Sequence, residues 1–274
     1  MPASAAPRRA AVLGHPIGHS LSPVLHHAAY AELGLNWTYD RVDVTGDDLG
    51  AFLESLDASW AGLSLTMPLK KDVLPFLDDI DPVALATGAV NTVVLADGRR
   101  RGFNTDVDGI VVTLDETHAG RGPAVVLGAG ATARSAVAAL AARGTTHVTA
   151  HVRRPDAASD LERTASGVGV DLVVRPWAEA GSTLGADVVV STVPRGVADE
   201  LVAVVPEAPG TLLDVVYDPW PTALATAWRD HGGAVASGLD LLLHQAVQQV
   251  LLMTGRRPST ELMRAALRQA ASAR

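Results

Sequence analysis

One segment constrains the fold more than any other in this chain. Residues 124–127 (AVVL) are a short, wholly apolar run of the kind that a strand buried on both faces needs. They lead directly into Gly128-Ala129-Gly130-Ala131-Thr132-Ala133, a G-x-G-x-x-A string that opens an Ala-rich helical stretch ending at Gly144. A second strand-like run, HVTAH, follows at 147–151. In such a strand–turn–helix–strand unit the first glycine makes the tight turn, and the second lets backbone N–H groups approach a pyrophosphate. The small sixth residue lets helix and strand pack closely, and the helix N-terminus is left facing the anion. Gly128, Ala129, Gly130, Ala131, Thr132 and Ala133 are therefore candidate dinucleotide-binding residues. A Gly/Ala-rich turn without a ligand is the plainer alternative.

The end of the second strand bears on which dinucleotide is bound. A carboxylate roughly 20 residues beyond the glycines would hold the ribose 2′-hydroxyl of NAD. This chain instead reads His151-Val152-Arg153-Arg154-Pro155. Two guanidinium groups there suit a 2′-phosphate, which favours NADP. The same pair also reads as a solvated basic turn, and Asp156 close by keeps NAD as a second choice.

Strand-like runs at 171–174, 186–190 and 211–216 extend this series. Before it, runs at 8–13, 38–42 and 62–65 alternate with helical stretches at 23–33 and 46–55. The expected architecture is α/β in two domains, a number that suits 274 residues. Residues 1–105 would form an N-terminal α/β substrate domain with a largely parallel sheet. Residues 106–237, entered through a linking helix at 106–118, would form a Rossmann-type doubly wound dinucleotide-binding domain. Helical patterns at 239–255 and 259–271, within 238–274, would return to the first domain or bridge the two.

Composition removes several classes. At 48% hydrophobic and 19% charged, the chain is not a disordered one. A net charge of −8 gives no general attraction to a phosphate backbone, so nucleic acid is not an expected partner. The absence of Cys excludes disulfides, thiolate metal sites and cysteine nucleophiles. No apolar run is long enough for a signal peptide or a membrane span, so the expected setting is the cytoplasm, as a monomer or homodimer. The basic residues are lopsided: 20 Arg against 2 Lys, Lys70 and Lys71.

Several N-terminal segments carry polar residues with a chemical reading. In His19-Ser20-Leu21-Ser22-Pro23, Ser22 suits a helix N-cap and Pro23 the first helical position. Ser20 and Ser22 would set two hydroxyls beside free N–H groups, an arrangement suited to a small carboxylate. His15, His19, His26 and His27 crowd the same region, but without metal-ligand spacing or acidic companions they read as turn, packing and surface residues. In Thr66-Met67-Pro68-Leu69-Lys70, a strand ends at Thr66 and Pro68 starts a helix. Lys70 would then lie in a first turn that disfavours a cation, so it either points to solvent or is held for chemistry. Asp106, at the junction of the two domains, reads either as a helix cap or as a cleft-side carboxylate able to pair with Lys70.

In order, the chain carries G-x-P-I-x-H-S-L-S-P (14–23), T-x-P-x-K (66–70), A-x-N-T (89–92), G-x-N-T-D (102–106), the glycine string, Y-x-P-x-x-T (217–222) and, at 238–245, a stretch similar to G-x-x-M-L-x-x-Q. From about Gly14 to Gly255 it thus resembles the shikimate dehydrogenase family. The resemblance implies reversible NADPH-dependent reduction of 3-dehydroshikimate to shikimate, on the route to chorismate and the aromatic amino acids. It makes Ser20 and Ser22 ligands of the substrate carboxylate, with Tyr217 beside them. Thr66, Asn91, Asp106 and Gln245 would contact ring hydroxyls, with Lys70 as acid/base. Arg153, Arg154, Ser191, Thr192, Val193, Val215 and Gly238 would join the glycine string around NADP. The chain departs from the family pattern at Ser64 and His27, where Asn is common, at Leu241, where Met is common, and at Val152-Arg153-Arg154, where the family has Asn-Arg-Thr. The alternatives are a quinate or aminoshikimate dehydrogenase, NAD-linked in some cases, and, from another class, a non-enzymatic NADP-binding regulatory module. Arginine cannot cycle as acid and base but lysine can, so Lys70 is the leading catalytic candidate in a chain that has almost no other lysine.

Overall fold

The computed structural model describes residues 7–273. The chain divides into two compact units. The first comprises the chain up to Leu85, Ala89–Thr105 and the chain from Leu242 onward; the second comprises Ala86–Gly88 and Asp106–Leu241. The C-terminal division thus falls inside a helix, and a three-residue piece, Ala86–Gly88, at the end of another helix belongs to the second unit.

The first unit runs β1 (Arg8–Gly14), α1 (Ser22–Glu32), β2 (Trp37–Asp43), α2 (Leu49–Glu54), β3 (Trp60–Leu65), α3 (Leu69–Asp72), β4 (Asp79–Ile80), α4 (Pro82–Thr87), β5 (Thr92–Ala96) and β6 (Arg99–Phe103). Its sheet has the order β2-β1-β3-β5-β6-β4. β1 pairs in parallel with β2 and β3, while β3–β5 and β5–β6 are antiparallel. The sheet is therefore mixed rather than largely parallel. The cause is local: β5 and β6 are joined by Asp97-Gly98, both at positive φ (53° and 72°), the two-residue turn that matches the twist of a hairpin. β1 and β3 are buried along almost their whole length, as strands covered on both faces must be.

The second unit runs α5 (Thr105–Glu116), β7 (Ala124–Leu127), α6 (Ala131–Ala142), β8 (His147–Val152), α7 (Ser159–Gly167), β9 (Asp171–Pro176), β10 (Val188–Ser191), β11 (Thr211–Asp214), α8 (Ala223–Asp230) and β12 (Ala234–Ser237). All strands are parallel in the order β12-β11-β10-β7-β8-β9. That is the doubly wound dinucleotide-binding order, with the strand order reversing between β7 and β10, where such sheets take their ligands. Val125, Val126, Val189 and Val190 of the two central strands are at most 2% exposed, which accounts for their unbroken apolar sequence.

α9 (Gly238–Thr254) and α10 (Thr260–Ser272) close the chain. α10 packs on α1, as the expected return to the first domain requires. The approach is fixed by Arg256 Nη1 donating to the Leu33 carbonyl (2.7 Å) and Ser259 N–H donating to Glu32 (2.8 Å).

Under α9 the first unit buries a polar cluster. The His26 ring stacks on Tyr39 at 3.7 Å between centroids and bonds Tyr30 at Nδ1 and Gln249 at Nε2 (3.2 Å each). Burial pushes His26 down to about 3, so the ring is neutral at working pH. With Tyr30 donating to Nδ1, Nε2–H donates to the Gln249 carbonyl oxygen. The unfolded chain takes up a proton at this ring near pH 6.5, the folded chain only near pH 3. Stability linked to His26 is therefore complete above about pH 6.5 and is lost on acidification toward pH 3. Between pH 7.5 and 5.0 the wild type should lose about 2 kcal/mol more unfolding free energy than His26→Gln, measured by denaturant titration. Equal losses would show that the ring protonates freely in the fold.

Candidate active site

The edge of the first sheet gathers the motifs. Segments leaving the C-terminal ends of β1, β3 and β6 and entering the N-terminal end of β5 meet there, because β5 and β6 run antiparallel. Thr66 N–H donates to the Leu13 carbonyl (2.9 Å), and His15 N–H to the Met67 carbonyl (3.1 Å). Leu65 N–H donates to the Asn91 carbonyl (2.8 Å), and Val90 N–H to the Lys70 carbonyl (2.8 Å). These bonds tie the loops of Ser20, Thr66, Lys70 and Asn91 to one strand edge.

Ser20 and Ser22 are both buried. Ser22 is the first residue of α1 rather than its N-cap; Leu21 stands in the cap position and has no capping side chain. It is the Ser20 hydroxyl that accepts the Ser22 N–H (3.3 Å), so the earlier serine does the capping. α3 is a single turn, too short for a macrodipole of consequence, so the expected electrostatic penalty on Lys70 does not arise. Lys70 is half-buried and Lys71 exposed. Asp106 is buried in the first turn of α5, one residue inside its start, and so is not its flanking cap; an acidic side chain is favoured there.

Asn91 has its amide fixed by the fold. Its Oδ1 accepts from Thr105 N–H (2.8 Å), Thr105 Oγ1 (3.1 Å) and Thr92 Oγ1 (2.8 Å). With the oxygen saturated, its Nδ2 is oriented as a donor. Gln249 lies beneath. Its Oε1 accepts from Ser64 (2.9 Å) and His26, and its Nε2 donates to Thr92 Oγ1 (3.1 Å). Gln245, buried one turn earlier on the same face of α9, donates to the Leu242 carbonyl (2.8 Å). Gln249 was not among the residues expected from the sequence. Its only signal there is a glutamine four residues after Gln245, on a helix that also carries Asp240, His244 and Gln248.

In the second unit, Gly128 has φ +115°, and a Cβ there would meet Thr192 Oγ1 at 2.6 Å. Thr192 Oγ1 itself donates to the Leu127 carbonyl (2.8 Å). Gly130, which caps α6, differs: its φ is an ordinary −75°, and a Cβ built on it meets no protein atom within 4 Å. Neither strain nor packing requires glycine at this position, so the space a Cβ would fill is free for a ligand, as the pyrophosphate cradle demands. Gly128, Ala129, Gly130, Arg153, Arg154, Thr192 and Val193 line one cavity of about 360 Å³. Ala131, Thr132 and Ala133, in the first turn of α6, do not line it; Ala133 is wholly buried against the sheet. Ser191 ends β10, and Val215, Tyr217 and Gly238 lie beyond the ends of β11 and β12, also outside its lining.

His151 and Trp177 also line the cavity and were not expected. His151 is held by the Pro176 carbonyl (3.2 Å) and Thr183 (2.8 Å), with burial lowering its pKa, and the Trp177 indole N–H donates to Glu200. Among the described residues no group of three or more His, Asp or Glu could hold a metal, and no helix is long and apolar enough to cross a membrane.

A doubly wound unit with a glycine cradle and an arginine pair, joined to a separate α/β unit that presents a lysine and amide groups, defines a dinucleotide-dependent oxidoreductase. Comparison with known proteins narrows this class. Residues 12–93 match the shikimate dehydrogenase substrate-binding domain, and 238–268 the shikimate 5′-dehydrogenase C-terminal domain. Residues 124–216 match a family described as NADP oxidoreductase, coenzyme F420-dependent, a likeness confined to the dinucleotide unit. The NADP(+)-dependent shikimate dehydrogenase of Moorella thermoacetica is 39% identical, over 96% of this chain and 93% of that protein. The crystal structure of Mycobacterium tuberculosis shikimate dehydrogenase is 42% identical with a TM-score of 0.89, covering 96% of this chain and all of that one (100%). The Thermus thermophilus enzyme, solved with NADP(H) and shikimate, is 33% identical with a TM-score of 0.84, covering 96% and 99%. Quinate dehydrogenase from Corynebacterium glutamicum, solved with NAD, is 28% identical with a TM-score of 0.86, covering 96% and 99%. The chain belongs to the shikimate dehydrogenase family.

The two glycines predict opposite phenotypes. Gly130→Ala should leave thermal stability unchanged but raise the Kd for NADP roughly tenfold or more, because only the ligand needs the space. Gly128→Ala should instead destabilise the unit by about 1–3 kcal/mol through strain. Thermal melts and cofactor titrations of both variants check this.

Proposed function

We propose that this protein catalyses the reversible NADPH-dependent reduction of 3-dehydroshikimate to shikimate. The observation that carries the cofactor half is the single cavity shared by Gly128–Gly130 and the Arg153–Arg154 pair. A doubly charged 2′-phosphate matches two guanidinium groups, and no carboxylate ends β8 to hold a 2′-hydroxyl instead. Family membership supports the substrate half.

When bound, NADPH supplies the hydride that reduces the ketone carbon. The residues of this chain supply the rest. The Lys70 ammonium donates a proton to the carbonyl oxygen and stabilises the negative charge developing there; in the reverse direction its neutral amine removes the hydroxyl proton. Asp106 pairs with Lys70 as the carboxylate partner in that exchange. Ser20 and Ser22 bind the substrate carboxylate through their hydroxyls, with Tyr217 beside them. Asn91, its oxygen saturated by Thr92 and Thr105, donates from Nδ2 to a ring hydroxyl, and Thr66 and Gln245 contact the others. Val215 and Gly238 flank the cofactor.

The deciding assay is nicotinamide absorbance with shikimate, quinate and aminoshikimate, each against NADP and NAD. Shikimate with NADP should give the highest kcat/KM; a higher value for quinate with NAD would replace the assignment by its nearest rival. Lys70→Ala should lower kcat by roughly 10²–10⁴-fold with modest change in substrate affinity. Near-wild-type turnover would remove Lys70 from the mechanism. Arg153→Ala should raise KM for NADPH far more than for NADH, and equal effects on both would remove it from the 2′-phosphate site.

A further inference from the structure

The second unit buries a carboxyl group that the mechanism does not use. Asp214, the last residue of β11, is 2% exposed, and burial raises its pKa from the ordinary value. Its two oxygens hold different ends of the same loop. Oδ1 accepts the Val216 N–H (3.2 Å), a local Asx turn at the start of the excursion. Oδ2 accepts the Thr222 hydroxyl (2.7 Å) at its end. Residues 215–221, which carry Val215 and Tyr217, are thus closed on one carboxylate. Thr222 Oγ1 also accepts the Ala225 N–H (3.1 Å) as the N-cap of α8, which carries the restraint into a helix. At the entry to the loop, Val215 N–H donates to the Ser191 carbonyl (3.0 Å). There Gly238 comes so close that a Cβ would collide with the Val215 carbonyl oxygen.

We propose that Asp214 is a positioning residue for substrate binding, clasping the loop so that Tyr217 is presented in one fixed conformation. The proposal rests on the dehydrogenase reading and adds a residue to it. Burying a carboxylate is costly, and a loop needing only closure could be held by a neutral side chain. A charged acceptor gives hydrogen bonds about twice as strong as neutral ones, which suits a loop that must hold a ligand contact without drift.

The test uses the full-length enzyme in four variants: Asp214→Asn, Thr222→Val, Thr222→Ser, and Asp214→Asn combined with Thr222→Val. KM and kcat are measured with shikimate and NADP, and Kd for NADP by direct titration. Asp214→Asn and Thr222→Val should each raise KM for shikimate about tenfold or more, the size expected from losing a hydrogen bond to a charged group. Kd for NADP should stay within about twofold, because the glycine cradle is untouched and Val215 keeps its own bond to the Ser191 carbonyl. Thr222→Ser, which keeps the hydroxyl, should behave as wild type, and the double variant should be no worse than the poorer single one. Should Asp214→Asn fail to fold, the Thr222→Val and Thr222→Ser pair decides alone. An unchanged KM in a folded variant would overturn the clasp, as would an equal loss of NADP affinity, which signals general loosening. A wild type inactive on shikimate would overturn the dehydrogenase reading and the proposal with it; an active wild type with unmoved variants overturns only the clasp.

Discussion

A buried amide must find a partner for each of its polar atoms, and the substrate unit is organised around one that does. Gln249 is 1% exposed, and its side chain is bonded to α1 through His26, to β3 through Ser64 and to β5 through Thr92. Removing one partner would strand a donor or acceptor away from water, at a cost of about 1–3 kcal/mol, so the three elements are held in a single register. The neutral state of His26 belongs to the same arrangement, since a charged ring could not be kept where it is wholly buried. Asn91, one residue before Thr92, inherits its orientation from this cluster. Its proposed role as a donor to substrate therefore depends on a glutamine that need not touch the substrate at all.

The cofactor unit solves a different problem. Its parallel strands present their C-terminal ends at one edge, and the reversal of order between β7 and β10 opens a crevice there. Gly128 closes the turn at a backbone angle denied to other residues, whereas Gly130 is glycine for the sake of what it does not occupy. Arg153 and Arg154 reach the same cavity from β8, and Thr192 and Val193 from β10. The loop after β11, held by Asp214 and Thr222, belongs to the same edge. Functional groups from the connections after β7, β8 and β10 thus meet around one cavity.

Much of this was legible from residue order. Periodicity marked the strands, and the glycine string identified the doubly wound unit because each of its small residues has a separate steric duty. Four things were not legible. The Asp97-Gly98 hairpin, which makes the first sheet mixed, sits among arginines rather than in an alternating apolar pattern. The exchange of capping roles between Ser20 and Ser22 turns on a dihedral angle at Leu21. The shortness of α3 removes the electrostatic penalty expected at Lys70. Gln249, His151 and Asp214 sit at strand ends or on helix faces where a polar residue has no distinctive spacing.

By itself the sequence determined what depends on local sterics and residue chemistry. These are the βα turn at Gly128–Gly130, the arginine pair at the end of β8, and the confinement of amine chemistry to Lys70 and Lys71. Only the tertiary structure decided which polar groups face one another. Asn91 and Thr105 are neighbours because a hairpin brings the chain back, and Gln249 lies under Ser64 because α9 returns from the far end of the chain. Hydrogen bonds reach only about 3 Å, so a pair separated by 185 residues in sequence leaves no trace there until the backbone is folded.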